Sequence, residues 1–341
     1  MNDQLKPSLT DLVQNSVVQE RVAEVVAEYR SFHAGEVEGR QANYARMIND
    51  YYDLVTDFYE FGWGHSFHFA PRFKGEAFEA SLRRHQLHLA DVLGLKAGMR
   101  VLDVGCGIGG PMRNIARDFG ATIIGVNNND YQIRRGQRHN QAAALGGQCS
   151  FLKADFMALP LPDDSLDAVY AIEATCHAPD KRRLFRELFR VMKPGMDFAG
   201  YEWCLTPKYE GDNPAHHSIK KGIEAGAALP DIAREDEVVN ALRDAGFEIM
   251  EARDYAASAD RGRPWWLSLS GSFLHNGFKR SPEGRWLTRK LVRLLETVRV
   301  APRGSTAVAT FLEAGARALV AGGKSGIFTP MFFFHARKPP T

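Results

Sequence analysis

From residue 100 onward the chain alternates short apolar runs with helix-length segments, a pattern that few architectures accommodate. Apolar runs lie at 100–104, 121–126, 151–152 and 167–172, with helical segments at 111–118 and 130–144 between the first three. A further helix over 181–192 ends at Lys193-Pro194-Gly195 and precedes a fifth strand leading into Tyr201-Glu202-Trp203. Strands separated by helices of about ten to fifteen residues form βαβ units, whose parallel sheet needs helices on both faces. The fold class expected is therefore α/β and Rossmann-like, with a mostly parallel twisted sheet.

The flanks read differently. Apolar residues at helical spacing run from Leu9 to Tyr29, a second helix is expected over 38–60 with a stop at Gly62-Trp63-Gly64, and a third over 74–93. Beyond Pro207 come a polar loop at 209–213, a helix at 235–245 and a strand at 247–250. The stretch 254–303 has no assignable pattern, and a helix at 306–321 and a strand at 328–336 close the chain. The organisation expected is a helical cap over 1–95, a cofactor-binding core over 96–206, and a substrate-binding region over 207–341 that completes the sheet.

Composition narrows the function classes. Lys and Arg number 43 against 41 Asp and Glu, a formal charge of +2, which argues against binding nucleic acid through bulk charge and leaves only a local basic patch open. The four cysteines, Cys106, Cys149, Cys176 and Cys204, form no C-x-x-C pair. Neither a structural zinc site nor a disulfide framework is expected, and a reducing, cytoplasmic setting is. The first residues lack a secretory pattern, and no apolar run reaches the ~18 residues that span a bilayer. Aromatic residues gather at 58–69, 265–266 and 332–334, which suits an apolar ligand.

The loop Asp103-Val104-Gly105-Cys106-Gly107-Ile108-Gly109-Gly110-Pro111 follows the first strand and opens a helix. Gly105, Gly107 and Gly110 meet the dinucleotide spacing G-x-G-x-x-G, and glycine lets a ligand approach amides that a Cβ would screen. Alone, the triplet also fits a strand-to-helix turn with no ligand. Asp103 would repel a pyrophosphate but suits an ammonium, directly or through water. The second strand ends in Asn127-Asn128-Asn129, where an NAD site carries a ribose-binding acid. Asp155-Phe156 places a carboxylate and a ring where an adenine fits. Together these features favour S-adenosylmethionine, with an NAD-dependent oxidoreductase as the competing class.

Further motifs make the sequence resemble the sterol 24-C-methyltransferase family. Residues 51–69, including Tyr51, Tyr59, Glu60, Trp63, His68 and Phe69, look like its aromatic-rich sterol signature. The segments 103–111, 125–132, 170–179 (with Glu173, Cys176 and His177), 201–203 and 322–334 are similar to its remaining blocks, so the resemblance covers about 45–340. Met196 and Gly200 depart from the family pattern, 254–303 matches loosely and the first 40 residues do not match. The resemblance implies a class I methyltransferase core with a C-terminal sterol-methyltransferase extension. It implies methylation of C24 in an unsaturated sterol side chain, through a cation at C25, a hydride shift and loss of a proton. Methylation at another sterol position, another isoprenoid lipid substrate and a non-catalytic sterol-binding protein are the other readings.

Such chemistry needs a dry site with π-faces for a cation and one base. Asp53, Asp57 and Glu60 share one helix face, and the plain alternative for them is a solvated acidic stripe. The catalytic candidates are Glu60, Tyr59, His68, Glu173 and His177. The cofactor-binding candidates are Tyr51, Asp103, Gly105, Cys106, Gly107, Gly109, Asn127, Asn128, Gln132, Asp155, Phe156 and Glu173. No metal is expected: the adjacent His216 and His217 do not share a helix face. Arg261, Arg263 and Trp265-Trp266 suit either a membrane interface or packing over the substrate, and self-association is left open.

Overall fold

The structure is a computed structural model, which describes residues 21–258, 263–271 and 278–340. Helices α1 (Val22–Ala34), α2 (Val37–Ala42), α3 (Tyr44–Trp63) and α4 (Phe78–Val92) precede strand β1 (Arg100–Val104). There follow α5 (Gly110–Phe119), β2 (Thr122–Asn127), α6 (Asp130–Ala142), β3 (Cys149–Lys153), β4 (Leu166–Ile172), α7 (Lys181–Val191) and β5 (Met192–Leu205). Helices α8 (Pro214–Ala227) and α9 (Glu235–Asp244) lead to β6 (Glu248–Asp254). The chain ends with α10 (Leu267–Ser270), α11 (Pro282–Thr297), α12 (Ser305–Ser325) and β7 (Phe328–Arg337).

The strands form one seven-stranded sheet in the order β3-β2-β1-β4-β5-β7-β6. The first five pair in parallel, and β7 enters antiparallel between β5 and β6. The α/β class expected from the alternation is what the chain adopts. Leu89, Val101, Ile115, Ile123, Tyr170, Tyr201 and Phe333 share one buried core around it. The departure at Gly200 has a local cause: a Cβ there would stand 2.7 Å from Phe334 Cζ and 2.9 Å from Ala171 O. The Phe334 ring on the neighbouring strand takes the room a larger residue would need.

The chain packs into two compact units, each assembled from separate stretches. The sheet unit comprises His68–Lys208, Ile232–Trp265 and Phe328–Thr341; the helical unit draws on Met1–Phe67, Tyr209–Asp231 and Trp266–Ile327. Helix α4, grouped by sequence with an N-terminal cap, packs against α5 and β5 in the sheet unit. Within the helical unit, Val22, Val25, Val26 and Tyr29 of α1 meet Met47, Tyr51, Leu54 and Val55 of α3, with Ala228 and Val308.

Several element boundaries differ from expectation. The helix expected over 38–60 is two helices with Asn43 between them, and α3 runs through Gly62 to Trp63 before Gly64, at φ 76°, ends it. The helix expected from 74 starts at Phe78, because Glu76 closes a turn onto the Phe73 N–H and carbonyl. Lys193-Pro194-Gly195 lies inside β5, where the Gly195 N–H bonds Lys338 O. Residues 9–20 of the first expected helix lie outside the described residues. Helix α8 has no counterpart in the sequence reading: Gly222, Ala225, Gly226 and Ala227 present no apolar stripe. They serve contact instead, since a Cβ on Gly226 would sit 2.3 Å from Gly315 Cα of α12. Among the described residues, no helix is long and apolar enough to cross a membrane.

Candidate active site

Strand order reverses beside β1: the chain leaves through β2 and β3 and returns to β1's other side as β4. In open α/β sheets the crevice at the carboxyl end of such a switch point receives the ligand. The loop from β1 into α5 occupies that place. Gly105 and Cys106 both donate their N–H to Val126 O at 3.0 Å, folding the loop over the end of β2. Gly105, Gly107 and Gly109 have φ of 72°, 55° and 79°, conformations that side chains other than glycine rarely adopt. A Cβ on Gly105 would stand 2.4 Å from Ala174 Cβ, and one on Gly109 would stand 2.6 Å from Met112 Cε.

Asp103 lies buried on β1, and its Oδ2 accepts the Tyr170 hydroxyl at 2.8 Å from the register position opposite on β4. Burial pushes its carboxyl up to about 7, and the Tyr170 hydrogen bond pulls the other way. A cation beside this carboxylate would relieve the cost of its burial. That donor set, with the tight glycine cradle at a helix N-terminus, fits the charged amino-acid end of S-adenosylmethionine.

At the end of β2 the expected residues come together with the loop. Asn127 Nδ2 donates to Gly107 O at 3.0 Å and to Gln132 Oε1 at 2.9 Å, and its Oδ1 accepts the Asn129 N–H at 2.9 Å. Asn129 Oδ1 in turn accepts the Gln132 N–H at 2.8 Å and caps α6. Asn127 and Gln132 therefore brace the glycine loop, while Asn128 is half-buried beside them in sequence. Asp155 Oδ1 accepts the Met157 N–H at 2.8 Å, and Phe156 is half-buried. Cys106 is buried, and burial raises its thiol well above the ordinary range, so it stays protonated and is no nucleophile.

Glu173, just past β4, takes φ 52° and donates its N–H to Tyr201 O at 2.8 Å. Its Oε1 accepts the Phe69 N–H and its Oε2 the Trp203 Nε1–H, both at 2.7 Å. Burial raises its pKa well above the usual carboxylate range, against the pull of these two donors. Buried His177 ends the short turn Thr175–His177 that follows. His68 is a buried, neutral ring: burial lowers it to about 4. Asn114 donates to Gln86 Oε1, so the Gln86 amide nitrogen donates to His68 Nε2 at 2.7 Å, and His68 Nδ1–H is left to donate to Phe69 O at 2.7 Å.

Within the helical unit, α3 carries Tyr51, Tyr59 and Glu60. Asp57 and Glu60 are buried, at 6% and 1% exposure, and Asp53 is half-buried, so these carboxylates are not a solvated stripe. His65 Nε2 lies 3.5 Å from Glu60 Oε1. The buried Tyr51 hydroxyl donates to Gly226 O at 2.7 Å and shares a short hydrogen bond with the Tyr59 hydroxyl. Tyr51's polar end is thus committed to α8 and Tyr59. The Tyr59 ring stands 5.5 Å from that of Phe67.

Sequence reasoning missed Tyr170, Gly125 and Trp203 as site residues. Tyr170 had one signal: aligning the expected runs 100–104 and 167–172 at their first residues sets it opposite Asp103, as the strand register does. Gly125 is required because a Cβ there would stand 2.6 Å from Cys106 Sγ. Trp265 is buried in the sheet unit, with its ring 5.0 Å from Phe69 and 5.8 Å from Phe328, so this tryptophan packs inside and does not face a membrane. Arg261 lies outside the described residues.

Comparisons with known proteins agree with the geometry. Residues 102–199 match the model of a methyltransferase domain, and 276–340 match that of the sterol methyltransferase C-terminal region. The second match takes in residues 276–303 of the stretch that sequence reading matched loosely. The cycloartenol-C-24-methyltransferase of Arabidopsis thaliana is 51% identical over 313 residues, covering 92% of this chain and 93% of that protein. That alignment is long enough to reach into the first 40 residues, which sequence reading left unmatched. The sterol 24-C-methyltransferase of Yarrowia lipolytica is 46% identical over 310 residues, 89% of this chain and 81% of that one. Among solved structures, geranyl diphosphate C-methyltransferase from Streptomyces coelicolor superposes with a TM-score of 0.60 at 17% identity, covering 86% of this chain and 98% of that one. This last likeness is one of fold.

Proposed function

Because the chain belongs to the sterol 24-C-methyltransferase family, we propose that it methylates C24 of a sterol whose side chain is unsaturated there, using S-adenosylmethionine. The observation that carries the reading is the buried Asp103 carboxyl beneath a left-handed glycine loop at the sheet's switch point. When bound, S-adenosylmethionine supplies an electrophilic methyl group on a positively charged sulfur. Asp103, Gly105, Gly107 and Gly109 would hold it, with Asp155 and Phe156 toward its adenine, while Asn127 and Gln132 keep the loop in place.

An alkene needs no base to begin the reaction. The C24–C25 π pair bonds the methyl carbon while the electrons of the broken S–C bond stay on sulfur, leaving a cation at C25. A hydride moving from C24 to C25 shifts the cation to C24, and loss of a proton from a neighbouring carbon closes a new alkene. The Tyr59 ring offers a π-face to such a cation, and the buried Glu60 carboxylate is the group suited to accept the proton. His68 and Glu173 take positioning roles, since their polar atoms hold Phe69 and Trp203. His177 remains a candidate for relaying the proton.

Transfer of a labelled methyl group to sterols with and without the side-chain double bond tests this reading. Cycloartenol belongs among them because a relative is named for it. Product formed only from unsaturated side chains is expected; transfer to saturated ones would defeat the scheme.

The Asp103 assignment makes a separate prediction. Its carboxyl is protonated below about 7 and ionised above. Affinity for the cationic cofactor should therefore rise as pH increases toward 7, by up to about tenfold per unit, and then level off. Asp103→Asn should weaken binding and flatten this slope in calorimetric titrations. An unchanged slope in the variant would assign the titration to another group.

A further inference from the structure

The large apolar side chains exposed among the described residues are concentrated in one place. Trp286, Leu287, Leu294, Val298 and Val300 lie on α11 and the turn that ends it, and Phe278 lies just before it. Trp286 is 54% exposed and Leu294 58%. Helix α11 buries Gly284 and Val292 and packs against α12 within the helical unit. Its outward stripe, Trp286, Leu287, Lys290, Leu294 and Val298, repeats every three or four residues.

Charge on this element is one-sided. Residues 278–303 hold eight Lys and Arg against two Glu, whereas the whole chain carries only +2. Of the two acids, the half-buried Glu296 accepts the Gly304 N–H at 2.8 Å and the Thr306 N–H at 2.7 Å, and these bonds outweigh desolvation and hold its carboxyl below the usual range. Lys290 places its ammonium 5.6 Å from the Trp286 ring. Arg293 and Arg303, with Glu296, Thr297 and Thr306, line an open cleft of about 440 Å³ beside the stripe.

A contiguous stripe of this kind is costly in water unless something covers it. Tryptophan and leucine flanked by lysine and arginine match a helix that lies in a bilayer interface, with apolar side chains among the headgroups and cations on lipid phosphates. We propose that α11 and its C-terminal turn form a docking surface for an anionic lipid bilayer. Trp286, Leu287 and Leu294 enter the interface, and Lys290, Arg293, Arg299 and Arg303 meet the phosphates. The inference rests on the sterol reading only in that a lipid surface is where such a substrate resides.

Sedimentation of the full chain with phosphatidylcholine vesicles, with or without about one quarter phosphatidylserine, tests this surface. The chain should bind the anionic vesicles, and added salt should release it. Lys290→Glu with Arg293→Glu should weaken that binding by about 30-fold or more. Trp286→Ser with Leu294→Ser should weaken binding to both vesicle types. Methyl transfer to detergent-dispersed sterol should stay unchanged in both double variants, which shows that they are folded. Equal vesicle binding by wild type and the charge-reversed variant would overturn the proposal. So would a dimer that Trp286→Ser with Leu294→Ser dissociates while no form binds vesicles. Absence of transfer to dispersed sterol in the wild type would defeat the sterol reading and leave the vesicle result to be judged by itself.

Discussion

Replacing Glu60 by glutamine is expected to lower turnover about 100-fold or more while leaving cofactor affinity within a few-fold. Glutamine keeps the shape of glutamate and its hydrogen-bonding reach, so α3 should hold its course, but it cannot accept a proton at this step. The buried position of Glu60 makes the loss specific, because a bulk base has no ready path to a side chain at 1% exposure. The measurement is kcat with an unsaturated sterol beside the Kd for S-adenosylmethionine. A melting temperature taken in parallel separates lost chemistry from lost folding. Turnover equal to wild type would remove Glu60 from the mechanism and turn attention to Asp57 and His177, both buried as well.

Gly105→Val is expected to abolish detectable cofactor binding, a loss of more than about 100-fold. Two costs coincide there. The backbone sits at φ 72°, which a β-branched residue adopts only under strain, and the added Cβ would collide with Ala174 Cβ at 2.4 Å. Relief requires the loop to leave the Val126 carbonyl that both Gly105 and Cys106 bond, and the cradle goes with it. Gly146→Ala is the matched control, since Gly146 is exposed and no atom lies within 4 Å of a Cβ placed on it. Normal affinity in Gly105→Val would overturn the assignment of this loop.

The sheet was legible because its strands are buried on both faces and so appear as unbroken apolar runs, Val101-Leu102 and Ala168-Val169-Tyr170-Ala171 among them. The glycine loop was legible for a different reason, since left-handed backbone leaves a residue-type trace. Helix α8 left none: its contact with α12 is made by backbone at Gly226 and Gly315, and small residues carry no hydrophobic period. The hydrogen-bond partners of His68 and Glu173 were equally hidden. Both sit in motifs that suggest proton handling, yet partners far along the chain, Gln86 for one and Trp203 for the other, occupy their polar atoms. The lipid-docking stripe proposed on α11 was no easier to read, because the conspicuous Trp265-Trp266 pair is the one that suits an interface by sequence. Trp265 proved to be core, and the exposed stripe on α11 emerges only once the packing against α12 shows which side of that helix is covered.

A sterol deuterated at C24 tests the central claim most directly. After turnover with S-adenosylmethionine, NMR of the product should place the new carbon on C24 and the deuterium on C25. Deuterium retained at C24, or a methyl group attached anywhere else, would contradict the cation and hydride-shift scheme and the roles given to Glu60 and Tyr59.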